Sequence, residues 1–137
     1  MTTADRVYGR TQTEWDKLTD AGHRFLVEHA RLGRPTSYTE LNAVISRRTG
    51  LPEFNFERAD ERAAMGHLLG LIVERDLDRS GLMLSAIVNY LGENDAGAGF
   101  YAFAKELGLL PKTATAAQKW DFWASQVSQV FAYYSRP

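Results

Sequence analysis

The chain reads as a mainly α (α+β) protein: about five helices around one core, with a small strand element near residues 82 to 91. Three observations predict this. Apolar residues recur at three- and four-residue intervals along most of the sequence, Ser or Thr precedes several of these stretches with capping spacing, and Leu82 to Leu91 contains β-branched and apolar residues with few polar interruptions. The length of 137 residues and the 45% apolar content suit a single globular domain over 1–137, with residues 1–10 polar and flexible.

Thr11 and Glu14 have capping-box spacing, and Trp15, Leu18, Gly22, Phe25, Leu26 and His29 follow at helical intervals, predicting a first helix from about Thr13 to Arg31. Gly33 ends it. Pro35 biases Arg34 toward an extended shape, and Thr36 to Tyr38 form a very short strand. Ser37 and Glu40 repeat the capping spacing for a second helix with Tyr38, Leu41, Val44 and Ile45 on its apolar face, stopped by Gly50 and Pro52. Leu51 to Phe56 is a loop that returns Phe54 and Phe56 to the core, and Asn55 caps the third helix, which starts near Glu57. Met65, Leu68, Leu69, Ile72 and Val73 are its buried stripe, while Gly66 and Gly70 allow another element to approach its backbone. After the turn at Asp78, Ser80 and Gly81, Leu82 to Leu91 reads as a strand covered on both faces, with a buried helical segment as the alternative. Gly92 to Gly99 is the most flexible loop, Phe100, Phe103, Ala104 and Leu107 mark a fourth helix, and Thr113 or Thr115 caps a fifth. In that last helix Trp120, Trp123, Val127, Val130, Phe131 and Tyr134 share a face, expected to pack across Trp15.

The 16 Lys and Arg residues nearly balance 17 Asp and Glu residues, so net charge exerts no general pull toward nucleic acid or an anionic membrane. With no cysteine, neither disulfides nor thiolate chemistry is available, which suits a cytoplasmic location. Met1 to Arg10 lacks the apolar segment of a signal peptide, and no apolar run approaches the ~20 residues of a membrane helix. A soluble protein without a membrane partner is expected.

The order helix, short strand, helix, helix, strand, flexible loop resembles a winged-helix module, with Glu57 to Asp76 in the recognition-helix place and Leu91 to Ala98 as the wing. Tyr38-Thr39-Glu40-Leu41, Leu84-Ser85-Ala86-Ile87-Val88 and Gly97-Ala98-Gly99-Phe100-Tyr101 look like a small uncharacterised protein family. The stretch from Tyr38 through the wing is also similar to the DNA-binding half of alkylguanine transferases, without their Pro-Cys-His-Arg segment. That resemblance implies binding and not alkyl transfer.

Local charge tests the nucleic-acid implication. Across Glu57 to Asp76, three arginines face five acids, and the wing adds Glu93 and Asp95 with no base. Between residues 24 and 48 the balance is reversed, and Arg31, Arg34, Arg47 and Arg48 make a candidate basic patch.

His23, His29 and His67 lack the His-x-x-x-His spacing of a helical zinc pair, so neither metal nor cofactor is expected. Ser85 sits in an apolar run instead of a nucleophile elbow, which reads as core burial, and the Gly97-Ala98-Gly99 turn has Ala102 where a phosphate-cradling loop needs its third glycine. The leading expectation is a noncatalytic binding or regulatory module that meets a protein partner through the acidic Gly-rich loop and the exposed face of the third helix, using Glu61, Glu93, Asn94, Asp95 and Tyr101. DNA binding through the four arginines is the alternative. A small enzyme built from Glu40, His67 and the loop acids comes third.

Overall fold

The structure, a computed structural model, describes residues 6–92 and 95–135. It is mainly helical with one two-stranded sheet. Helix α1 (Gln12–Leu32) begins with the expected reciprocal box: Thr11 Oγ1 accepts from the Glu14 N–H, and the Glu14 carboxylate accepts from the Thr11 N–H. It ends at Gly33, whose φ of 65° lies in the left-handed region that a β-carbon disfavours. Strand β1 (Thr36–Ser37) leads into α2 (Tyr38–Thr49), where the Ser37 hydroxyl accepts from the Glu40 N–H.

Helix α3 (Ala59–Ser80) starts two residues later than the expected Glu57. Asn55 is the reason. Its side chain accepts from the Glu57 N–H and its carbonyl from the Arg58 N–H, which closes a turn before the helix, so Asn55 is not the helix cap. Further on, the strand expected over 82–91 is confined to β2 (Val88–Asn89), preceded by a 3-10 turn at Leu84–Ile87. The backbone here finds partners elsewhere: the Met83 N–H donates to the Gln126 side chain at 2.8 Å, and the Ala86 carbonyl accepts from the Trp123 indole at 2.9 Å. A ladder is not needed to satisfy it. Strand β2 pairs in parallel with β1, Thr36 beside Val88 and Ser37 beside Asn89, so Tyr38 and Tyr90 follow side by side.

Helix α4 (Ala98–Glu106) and α5 (Ala116–Tyr134) complete the chain, the latter opened by a Thr115–Gln118 capping box. The larger buried cluster joins Leu18, Leu26, Leu41, Ile45, Leu68 and Ile72 of α1 to α3 with Leu84, Ile87 and Val130. A smaller one gathers Val73, Met83, Ala86, Phe100, Ala104 and Leu110, and Val127 packs against both.

The Trp15 ring lies against Phe54 and His67, with centroids at 6.1 and 4.8 Å, its indole N–H donates to the Val7 carbonyl, and it shares the larger buried cluster with Val130 and Tyr134 of α5. Helix α5 also reaches α1 and α3 through Tyr134, whose hydroxyl donates to Asp76, the partner of His23. The aromatic stripe of α5 is divided: Trp123 is half-buried, while Trp120 is 53% exposed. No helix among the described residues is long and apolar enough to cross a membrane.

Candidate functional site

Helix α3 carries Ala59, Ala63, Gly66 and Gly70 at intervals of four, three and four, so they share one face. Ala59, Ala63 and Gly66 are exposed. Gly70 lies beneath the Phe103 ring of α4, 3.9 Å from where a β-carbon would stand, whereas a β-carbon on Gly66 would meet nothing within 4 Å. Gly99 and Ala102 are the matching small residues on α4, and the two helices leave a groove of about 660 Å³ between them. Ser85, Ala96 and Phe100, which also line it, are all buried.

One end of the groove is marked by a chain of contacts. Tyr90 packs against Gly97 at the start of α4, where a β-carbon would come within 3.0 Å of it and φ is 86°, so glycine alone fits. The Tyr90 ring meets Tyr38 edge-on with centroids 5.0 Å apart, Tyr38 meets Phe56 at 5.8 Å, and the Arg62 guanidinium donates to the Phe56 carbonyl at 2.6 Å. The N-terminal halves of α3 and α4 therefore lie together at this end. Glu74 and Glu106 line the other.

At the Arg62 end the guanidinium already gives one N–H to the Phe56 carbonyl and has further N–H groups to offer, beside the Tyr38 hydroxyl. Ser85 is 5% exposed, and its hydroxyl makes no hydrogen bond among the described residues. Tyr38 is likewise 5% exposed with an unpaired hydroxyl, which burial first, and then neighbouring Tyr90, pushes up to about 12, so it remains an O–H donor. Among the described residues Arg62 has no carboxylate partner, and neither Glu74 nor Glu106 has a cationic one. The groove can thus offer a segment an apolar, small-residue trough with donors at one end and carboxylates at the other.

The residues singled out from sequence are distributed elsewhere. Glu61 grips the Arg10 guanidinium at 2.9 and 3.1 Å and accepts from the Asn55 N–H, and the Arg10 bond is the chief cause holding its carboxyl below the ordinary range. Asp95 accepts from the Tyr101 hydroxyl at 2.9 Å; burial, then this bond, raise the phenol. Glu93 and Asn94 lie outside the described residues. Arg48 is tied to Glu28 at 2.9 and 3.1 Å, while Arg31, Arg34 and Arg47 are exposed. Glu40 binds Thr36 and lies 3.8 Å from His29, whereas His67 packs between Trp15 and Tyr8, so those two share no interaction. No group of three or more His, Asp or Glu side chains placed to hold a metal ion occurs among the described residues.

Sequence reasoning did not single out Arg62, Tyr38, Tyr90, Glu74 or Glu106 as site residues. Two signals pointed toward the groove: Gly66 and Gly70 one turn apart, and the lone hydroxyl of Ser85 inside an apolar run. The other half of the site, α4, is brought to α3 only by the fold. None of the protein-family models, curated proteins or solved structures compared with this chain matches it.

Proposed function

We propose that the chain is a noncatalytic binding module that receives a helical segment of a protein partner in the groove between α3 and α4. The observation that carries this reading is the exposed face of Ala59, Ala63 and Gly66, which the side chains of the described residues leave open. Small residues let a partner backbone approach closely, and an apolar segment laid there removes its surface from water at roughly 25 cal/mol per Å². Asp95 and Tyr101 brace each other at the start of α4 and so shape the groove wall, and Glu61 contributes by anchoring the start of α3 to Arg10.

Selection of a helical-peptide display library against the protein tests this. Gly66→Leu places a side chain in the trough at a helical position with open space, and leucine exceeds glycine in helix propensity by about 0.8 kcal/mol. The variant should hold or gain stability in urea while losing at least about tenfold in affinity for selected peptides, about 1.4 kcal/mol. No enrichment, or peptides indifferent to Gly66→Leu, would overturn the reading.

A second reading, duplex DNA binding on the winged-helix resemblance, draws on exposed Arg31, Arg34 and Arg47, which have no acidic partner among the described residues. Affinity should then fall steeply with salt, and Arg47→Ala with Arg48→Ala should reduce the log–log slope by about one per lost phosphate contact. Salt-independent binding, or none, rejects it.

A further inference from the structure

The two ends of the groove are chemically opposite, and that opposition specifies how an occupant must lie. From Arg62 to Glu74 the groove follows twelve residues of α3, about 18 Å, which matches a partner helix of roughly three turns. At the Arg62 end stand a guanidinium, a donor only, and the Tyr38 hydroxyl, which has an O–H to give and no partner among the described residues. At the far end stand two carboxylates, acceptors only. An isolated helix has the complementary asymmetry. Its last four carbonyls and first four N–H groups lack internal partners, and its dipole is negative at the C-terminus and positive at the N-terminus. An O–H or N–H sealed under a partner without an acceptor is penalised, so an occupant covering Arg62 and Tyr38 is favoured when it brings oxygens to that end.

Resting on the groove reading above, we infer that the groove has a fixed polarity: it takes an amphipathic helix antiparallel to α3. The occupant's C-terminal carbonyls and acidic side chains meet Arg62 and Tyr38, and its N-terminal turn and basic side chains meet Glu74 and Glu106. The partner is thus a segment with lysine or arginine in its first turn, small or apolar residues along one face, and aspartate or glutamate in its last turn. The reverse charge order places like charges together at both ends.

The test uses the full chain and peptides from the display library. Selected peptides should carry basic first turns and acidic last turns, and synthetic versions with the end charges exchanged should bind about tenfold more weakly. Glu74→Arg with Glu106→Arg, both at exposed positions, should shrink that preference to about threefold or less, and adding Arg62→Glu should reverse it. Because Arg62 also holds the Phe56 carbonyl, the double glutamate variant carries the test even where the triple variant fails to fold. Peptides that depend on Gly66 yet show no end-charge bias, or a bias unchanged in the double variant, overturn the polarity and leave the groove standing. Peptides indifferent to Gly66→Leu overturn the groove itself.

Discussion

At the scale of single residues, two polar side chains carry unusual weight. Asp76 is fully shielded and accepts hydrogen bonds from His23 at 2.9 Å, Ser80 at 2.7 Å and the Tyr134 hydroxyl. Burial pushes its carboxyl upward, but the bonds from His23, Tyr134 and Ser80 together outweigh burial and leave it below the ordinary value. A carboxyl more acidic folded than unfolded contributes stability that is complete above its unfolded value, near pH 4, and lost as pH falls through the depressed folded one. Asp76→Asn should therefore lose about 2 kcal/mol at pH 7, and its urea midpoint should fall less than the wild type's between pH 5 and pH 3. Parallel pH curves would show that the carboxylate's charge is not what matters. Arg10 is the second case. It is bidentate to Glu61 and stacks 3.9 Å over Phe54, with both ion-pair side chains largely covered, at 15% and 17% exposure. Arg10→Lys keeps the charge but not the fork or the plane, and should lose about 1 kcal/mol in chemical denaturation, with Arg10→Ala losing about 2.

At the scale of elements, the crossing of α1 and α3 depends on one missing β-carbon. A β-carbon on Gly22 would stand 2.6 Å from Ile72 Cδ1 but 3.7 Å from Cγ1, so one terminal methyl makes the clash. Ile72 is fully buried, leaving that methyl little room to turn aside. Gly22→Ala should destabilise by about 1 kcal/mol despite its gain in helix propensity. In an Ile72→Val background, which removes Cδ1, the same change should become neutral or stabilising by up to about 1 kcal/mol. Additive effects in this double-mutant cycle would exclude the contact as the cause. The fate of residues 82–91 belongs to this scale too. The apolar run announced burial, and the segment is buried from Leu82 to Val88, but periodicity does not distinguish a strand from a turn whose backbone is satisfied by α5.

For the whole molecule, the two apolar clusters share Val127, and Trp123 ties α5 to the turn between them through the Ala86 carbonyl. With so many shared elements the clusters should unfold together. Tryptophan emission reports Trp15 in one cluster and Trp123 beside the other, so its urea transition should coincide with that of far-ultraviolet circular dichroism. Separate midpoints would reveal two independently melting units. The groove stands on this arrangement, because its walls come from α3 and α4, whose buried faces include Val73 and Phe100 of the smaller cluster.

Helix boundaries set by side chains three residues apart were legible in the chain alone: Thr11 with Glu14, Ser37 with Glu40, and the Thr115 cap all act across a single turn. The same holds for the mainly helical class and its central apolar stripes, since period and composition are local properties. The site was not legible in this way. Arg48 finds Glu28 across 20 residues, Arg10 finds Glu61 across 51, and Asp76 finds Tyr134 across 58, so charge counts along the sequence misjudged which side chains are already engaged. The groove likewise joins a face of α3 to a helix that begins almost thirty residues after Gly70. Only close packing of distant segments decides such pairings, because nothing in the local chain energy selects one remote partner over another.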